Sequence, residues 1–268
     1  MIDDSDPRLQ HRHGWHPAPY GESPNGLSRS GDRHATAVGS VQSSTPYPAT
    51  PPYSGSRGRR WPLLADDMFR LAHRDSDGAS LLDPQVAGLG LSAALLGELL
   101  LTGHLTLREG PVEVLNAAAP SDVLAHTVLD QLVREQAEHP VRTWLAYLGR
   151  DAYAEVAGRM ERAGHVHALT SRRVFARTVR YVPTDMNAAA WPWARLAGAL
   201  RRGDRLGDFD TLLGGFAVAT DLHRVVLIGD ASNFALALRP LIAEAAPPLR
   251  QLITYVRAAA GDAVITKT

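Results

Sequence analysis

The chain contains no cysteine. That absence excludes a disulfide framework and any thiolate metal site, and it is compatible with a reducing compartment. Lysine is almost as scarce: Lys267 is the only one, so nearly all of the 28 basic residues are arginine. No apolar run reaches the ~20 residues that a membrane-spanning helix needs. Acidic and basic residues balance at 28 each, with a pI near 7.2, so no global basic field argues for nucleic acid. Any anion-binding surface has to be local. A Gly-x-Ser-x-Gly elbow, a P-loop and a His-Glu-x-x-His pair are all missing. Catalysis therefore has no sequence signature, and no catalytic residue, metal ligand or cofactor is assigned.

What is present divides into two kinds of sequence. Residues 1–60 are rich in Pro, Ser, Gly and His, include YPATPPYSGS and show no apolar period. Such a segment cannot bury enough surface to offset its ordering entropy, and it reads as a disordered arm. Its start lacks the basic and then apolar pattern of a secretory signal. Arg57, Arg59 and Arg60 close the arm, either as a contact for acidic partners or anionic lipid or as a solvated linker end. From residue 61 onward the apolar content is high enough for a sizeable core.

The most legible stretch runs from Val86 to Leu115. VAGLGLSAALLGELLL is apolar on nearly every face, is interrupted only by Glu98, and reads as the buried central helix of a soluble domain. Asp83-Pro84 starts it, with proline where its missing donor costs nothing. Glu98 is expected to be buried and hydrogen-bonded to backbone or to an arginine, because an unpartnered buried carboxylate is expensive. A hairpin follows: Leu105 and Leu107 alternate with His104, Thr106 and Arg108, Glu109-Gly110 turns the chain, and Val112–Val114 resumes the alternation.

Elsewhere the periods predict a helix over Leu63–Leu71 and a turn at Asp75, Asp77 and Gly78. A helix capped by Ser121 follows, with Leu124, Val128 and Leu132 on one face. Next come a short helix over Pro140–Leu148 and one capped by Asp151, with Ala152, Val156 and Met160 recurring, that ends at Gly164. A second hairpin pairs Val166 and Ala168 with a strand from Val174 to Val182. Helical segments over 191–202, 208–228 and 236–260 complete the chain, the last divided by Pro247-Pro248. The fold class is mainly α with an α+β element: a compact multi-helix domain over 61–268, with a central buried helix and two small hairpins.

Several motifs admit two readings. Gly88-Leu-Gly90-Leu-Ser-Ala93 matches a degenerate dinucleotide fingerprint, but a helical pattern precedes it where a buried strand should stand; the glycines serve close helix approach instead. His165 and His167 share a strand face, as a metal pair or as solvent-facing residues. Asp75 and Asp77 before Gly78 are a cation loop or an ordinary turn. Arg172, Arg173, Arg177 and Arg180 around Val174-Phe175 fit a surface resting on an anionic membrane, the apolar pair entering the interface while guanidinium forks take phosphate. They fit equally the solvent face of a hairpin.

The order of elements, with the segments GLGLSAALLGELLLTGHLTL, APSDVLAHTVLDQL and ERAGHV and a hairpin reaching Pro183, resembles the Golgi phosphoprotein 3 family in its bacterial branch. Glu98-Leu99 and Gly103 before a hairpin form the most specific part. The resemblance covers residues 62–260. It implies a non-enzymatic, cytoplasmic, peripheral membrane protein that binds phosphatidylinositol 4-phosphate, with a hairpin that inserts or mediates homo-oligomer formation. By the same resemblance Asp83 (or its neighbour Leu82), Ser92 and Tyr153 occupy lipid-pocket positions where eukaryotic members have tryptophan, arginine and arginine, and Arg150 keeps the remaining arginine. Arg150, Arg172 and Arg173 are the expected anionic-lipid contacts, and Val174 and Phe175 the insertion tip. The alternative is a soluble protein–protein adaptor of the same fold that has lost lipid binding.

Overall fold

The computed structural model describes residues 63–265 apart from Gln136, Val174, Phe175 and Ile228. The expected disordered arm over 1–60 and the insertion tip Val174-Phe175 lie outside the described residues.

The chain is mainly helical. Helix α1 (Leu64–Leu71) precedes α2 (Pro84–Leu101), the first hairpin β1 (Leu105–Leu107) and β2 (Val112–Val114), then α3 (Val123–Arg134), α4 (Val141–Leu148) and α5 (Ala152–Arg162). The second hairpin, β3 (Val166–Arg173) and β4 (Ala176–Pro183), leads to α6 (Met186–Arg202), α7 (Asp208–Ala219), α8 (Leu222–Val226), α9 (Ala231–Glu244) and α10 (Pro247–Ile265).

Helix α2 is the axis of the domain. Its residues Val86–Leu99 are all buried, and α1, α3, α4, α5, α7 and α10 pack around it. This explains an apolar composition on every face: there is no solvent side to make polar. The 18 residues of α2 are long and apolar enough to cross a membrane, yet most of the helix is enclosed by its neighbours, as in the core of a domain. Each fully buried leucine along it contributes about 1.5–3 kcal/mol. Asp83 accepts a hydrogen bond from the Gln85 N–H at 2.9 Å and caps the helix, with Pro84 at its first position. Gly88 allows the closest approach: a Cβ there would lie 2.2 Å from the carbonyl oxygen of Gly149, at the end of α4.

The first hairpin has the expected register, Leu105 opposite Val114 and Leu107 opposite Val112. Glu109 (φ 51°) and Gly110 (φ 140°) form its turn. The second pairs Val166 with Pro183 through Arg173 with Ala176, and its return strand is described from Ala176, the expected start at Val174 lying outside the described residues.

Five boundaries or caps differ from the sequence reading. Asp122, not Ser121, caps α3, because its carboxylate reaches the Ala125 N–H at 2.9 Å. Asp151 stands at the start of α5 without a capping bond. Helix α6 begins at Met186, capped by Asp185, and carries Pro192 inside it. The segment 208–228 breaks after Ala219, where Asp221 takes a left-handed backbone (φ 57°) and starts the short α8. Helix α9 starts at Ala231 and continues through Pro240, while Pro247 opens α10.

Candidate functional site

The second hairpin is the most unusual surface of the domain. From His165 to Pro183 the sequence holds four arginines and no carboxylate, in a chain whose charges sum to zero as a whole. At the hairpin's base Gly164 ends α5 with a left-handed backbone (φ 75°), and Thr184 closes the loop: its N–H donates to the His165 carbonyl at 3.0 Å and its hydroxyl to the Gly164 carbonyl at 2.8 Å. Further out Leu169 and Val179 are 52% and 37% exposed. Arg172 lies opposite Arg177, and Arg173 opposite Ala176, in the strand register.

The turn between α1 and α2 grips this hairpin. Gly78 (φ 66°) sits so close to β4 that a Cβ would lie 1.9 Å from the Tyr181 carbonyl oxygen. Beside it Asp77 accepts from Arg74 at 3.0 and 2.7 Å and from the Ala79 N–H at 3.0 Å, and lies 3.5 Å from Arg180. The Ala79 N–H and these arginines hold the Asp77 carboxyl below the usual range. Asp75, Asp77 and Gly78 thus form a turn, and among the described residues no group of acidic or histidine side chains is arranged to hold a metal ion.

A cavity of about 320 Å³ opens at the base of the hairpin, lined by Arg70, His73, Arg74, His165, Tyr181 and Asp185 among others. Much of its polar lining is engaged by the fold. Arg70 donates to Asp67 at 3.0 Å, Arg74 to Asp77, and Asp185 caps α6. His73 stacks on Phe69 with ring centroids 4.1 Å apart; its Nδ1 lies 2.6 Å from the Phe69 carbonyl, so that nitrogen carries the proton. Burial pushes His73 below the ordinary histidine range, and burial together with the Arg70 charge does the same to His165. His165 is half-buried and His167 exposed, so the two occupy different environments.

The positions expected to form a lipid pocket fall in three settings. Ser92 is fully buried; its hydroxyl lies 2.9 Å from the Leu89 carbonyl and 3.1 Å from that of Leu145, fastening α2 to α4. Arg150 is exposed beside Gly149, the residue that Gly88 of α2 touches. Ser92 thus lies inside the α2–α4 contact, and Arg150 follows directly after Gly149 at its edge. Asp83 is exposed and caps α2. Tyr153 has other neighbours: its ring lies 5.5, 5.6 and 6.1 Å from those of Phe69, His73 and Tyr181, an aromatic cluster joining α1, α5 and β4. Burial and the neighbouring Tyr181 raise its hydroxyl above the ordinary tyrosine range.

Glu98 is buried and bonded to the Ala65 N–H and to Arg159, as expected, but sequence reading missed the rest of the polar constellation around it. Arg159 of α5 is buried between three carboxylates: Asp66 of α1 at 2.8 Å, Glu98 of α2 at 3.2 Å, and Asp122, the cap of α3, at 2.9 Å. Next to it Asp67, fully buried, receives Arg70 and Arg195, each at 3.0 Å, and Arg195 reaches Asp210 of α7 at 2.7 Å. The signal for this network was Asp66-Asp67 on the buried α1, and Arg159 three residues after Val156 on the buried face of α5.

Comparison with known proteins agrees with this architecture. No curated protein matches the chain. The family model described as Golgi phosphoprotein 3 (GPP34) matches residues 64–256, from the first residue of α1 into α10 and thus over most of the described domain. The chain belongs to the Golgi phosphoprotein 3 family.

Proposed function

We propose that this chain is a non-enzymatic protein that rests peripherally on an anionic membrane from the cytoplasm, holding lipid phosphates with Arg150, Arg172 and Arg173 and lowering Val174 and Phe175 into the interface. The observation that carries the reading is the second hairpin: four arginines, no carboxylate, and exposed Leu169 and Val179 on its strands. Apolar side chains next to guanidinium groups suit the boundary between head groups and acyl chains. Family membership supports the same reading. Selectivity for phosphatidylinositol 4-phosphate is expected to be low, because of the pocket-equivalent positions only Arg150 carries a positive charge.

Flotation with vesicles tests the proposal. Binding is expected on vesicles containing phosphatidylglycerol or phosphatidylinositol 4-phosphate, not on phosphatidylcholine alone, and it should fall as salt shortens the Debye length. Each arginine near the surface contributes about 1 kcal/mol, so an Arg172→Ala/Arg173→Ala double variant should bind about thirty-fold more weakly. No flotation on any anionic vesicle at low salt would overturn the lipid reading and leave the soluble adaptor. Pairing of a second copy of the chain on the two-stranded hairpin is part of the same proposal, and sedimentation of the wild type and the double variant reads it directly.

A further inference from the structure

The charges around Arg159 do not balance. One guanidinium faces three carboxylates, those of Asp66, Glu98 and Asp122, and among the described residues no other cation pairs with any of them. Arg159, Asp66 and Glu98 are each about nine-tenths buried at the side chain. Fully ionised, the cluster would keep a net charge of minus two in the interior, where uncompensated charge is costly enough that a group neutralises instead.

The bond lengths show which carboxyl differs. Asp66 receives Arg159 at 2.9 Å from Nε and 2.8 Å from Nη2, and Asp122 receives it at 2.9 Å from Nη1. These are charge-assisted lengths. Glu98 stands back at 3.2 and 3.3 Å, and its closest donor is an uncharged one, the Ala65 N–H at 2.9 Å. Facing Glu98 are the Asp66 carboxylate and the Ala65 amide from α1, Asp122 from the cap of α3, and Arg159 from α5. From α7 the neighbours of the adjacent Gly97 are Leu212 and Phe216, both apolar. No charged group of α4 or α10 among the described residues pairs with it. Asp67, also buried in α1, receives two guanidinium partners, Arg70 and Arg195, each at 3.0 Å, which oppose the upward push of its burial.

We propose that Glu98 is a neutral carboxylic acid in the folded protein at neutral pH, and that its ionisation is a pH-sensitive latch on the joint between α1, α2 and α5. The neutral acid keeps only the two longer contacts from Arg159, whose shorter bonds go to the aspartates, while its Oε1 still accepts from Ala65. Ionised, it adds a second uncompensated charge and works against the closure of α1 on α2. Burial pushes this carboxyl up, against the pull of Arg159, which agrees with the geometry.

Urea unfolding across pH 5.5–8.5 tests the latch with wild type, Glu98→Gln and Glu98→Ala. A neutral Glu98 is ionised in the unfolded chain, so unfolding releases one proton, and stability must fall as pH rises towards the folded titration point. Relative to Glu98→Gln, the wild-type unfolding constant should then grow about tenfold per pH unit. Glutamine imitates the neutral acid, so Glu98→Gln should match or exceed wild type at pH 8, while Glu98→Ala loses stability at every pH. Parallel wild-type and Gln profiles, with Gln as damaging as Ala, would overturn the proposal. Should the variants not fold, the wild type decides by itself: an infrared carbonyl stretch of a buried carboxylic acid is expected at pH 7, and its absence refutes a neutral Glu98.

Discussion

Gly78 shows how much one residue can hold. Its left-handed backbone costs any other side chain about 1–2 kcal/mol, and the space for a Cβ is filled by the Tyr181 carbonyl. Gly78→Ala is therefore expected to destabilise the protein by at least about 2 kcal/mol, read as a lowered urea midpoint, with early loss of protection in the β4 amides. His73 makes a prediction of opposite pH sense to that of Glu98. An exposed histidine in the unfolded chain takes its proton near pH 6.5, whereas the buried His73 takes it lower. Stability is therefore lost as pH falls through that window. His73→Phe keeps the stack on Phe69 and removes the titration, so its midpoint should drop less than that of wild type between pH 7 and pH 5.5.

At the scale of elements, Asp122 serves α3 twice. It caps the helix through the Ala125 N–H and holds Arg159 from outside the cap. Capping contributes about 0.5–2 kcal/mol. Asp122→Ser should restore that share of the loss seen in Asp122→Ala, and leave the rest, which belongs to the Arg159 pair; thermal unfolding of the two variants separates them. The elements legible from sequence were those whose reasons are local. The period and Asp83-Pro84 announced α2, and Glu109-Gly110 announced the first hairpin. Helix α6 starts five residues before the expected 191, at Met186 behind its Asp185 cap, and runs through a buried Pro192. The left-handed Asp221 between α7 and α8 has no local signature.

For the whole molecule, α2 is a shared wall on which most other helices depend, and the Arg159 network is the polar seam where four of its elements meet. The basic hairpin could be read in advance because its arginines are neighbours in sequence. The seam could not, because Arg159 lies 93, 61 and 37 positions from Asp66, Glu98 and Asp122. Only the isolated carboxylate in GELLL hinted at it. Gly88→Ala tests the wall: a Cβ pressed into Gly149 should part α2 from α4 and cost several kcal/mol, about the scale of overpacking a core, seen as a lower melting temperature without loss of helical signal below it. Arg150, next to that contact, would move with it, so the same variant should also weaken vesicle binding.

An axis that is apolar on all faces also has a history during synthesis. Helix α2 leaves the ribosome long before α10, one of its covering helices, whose first residue comes roughly 150 residues later. At about 5–20 residues per second, that leaves the segment uncovered for something like ten to thirty seconds. During that interval the nascent chain displays what a targeting factor would take for a membrane anchor. Ribosome-bound chains halted before residue 247 are therefore expected to recruit a chaperone that shields apolar segments, and completed chains to release it.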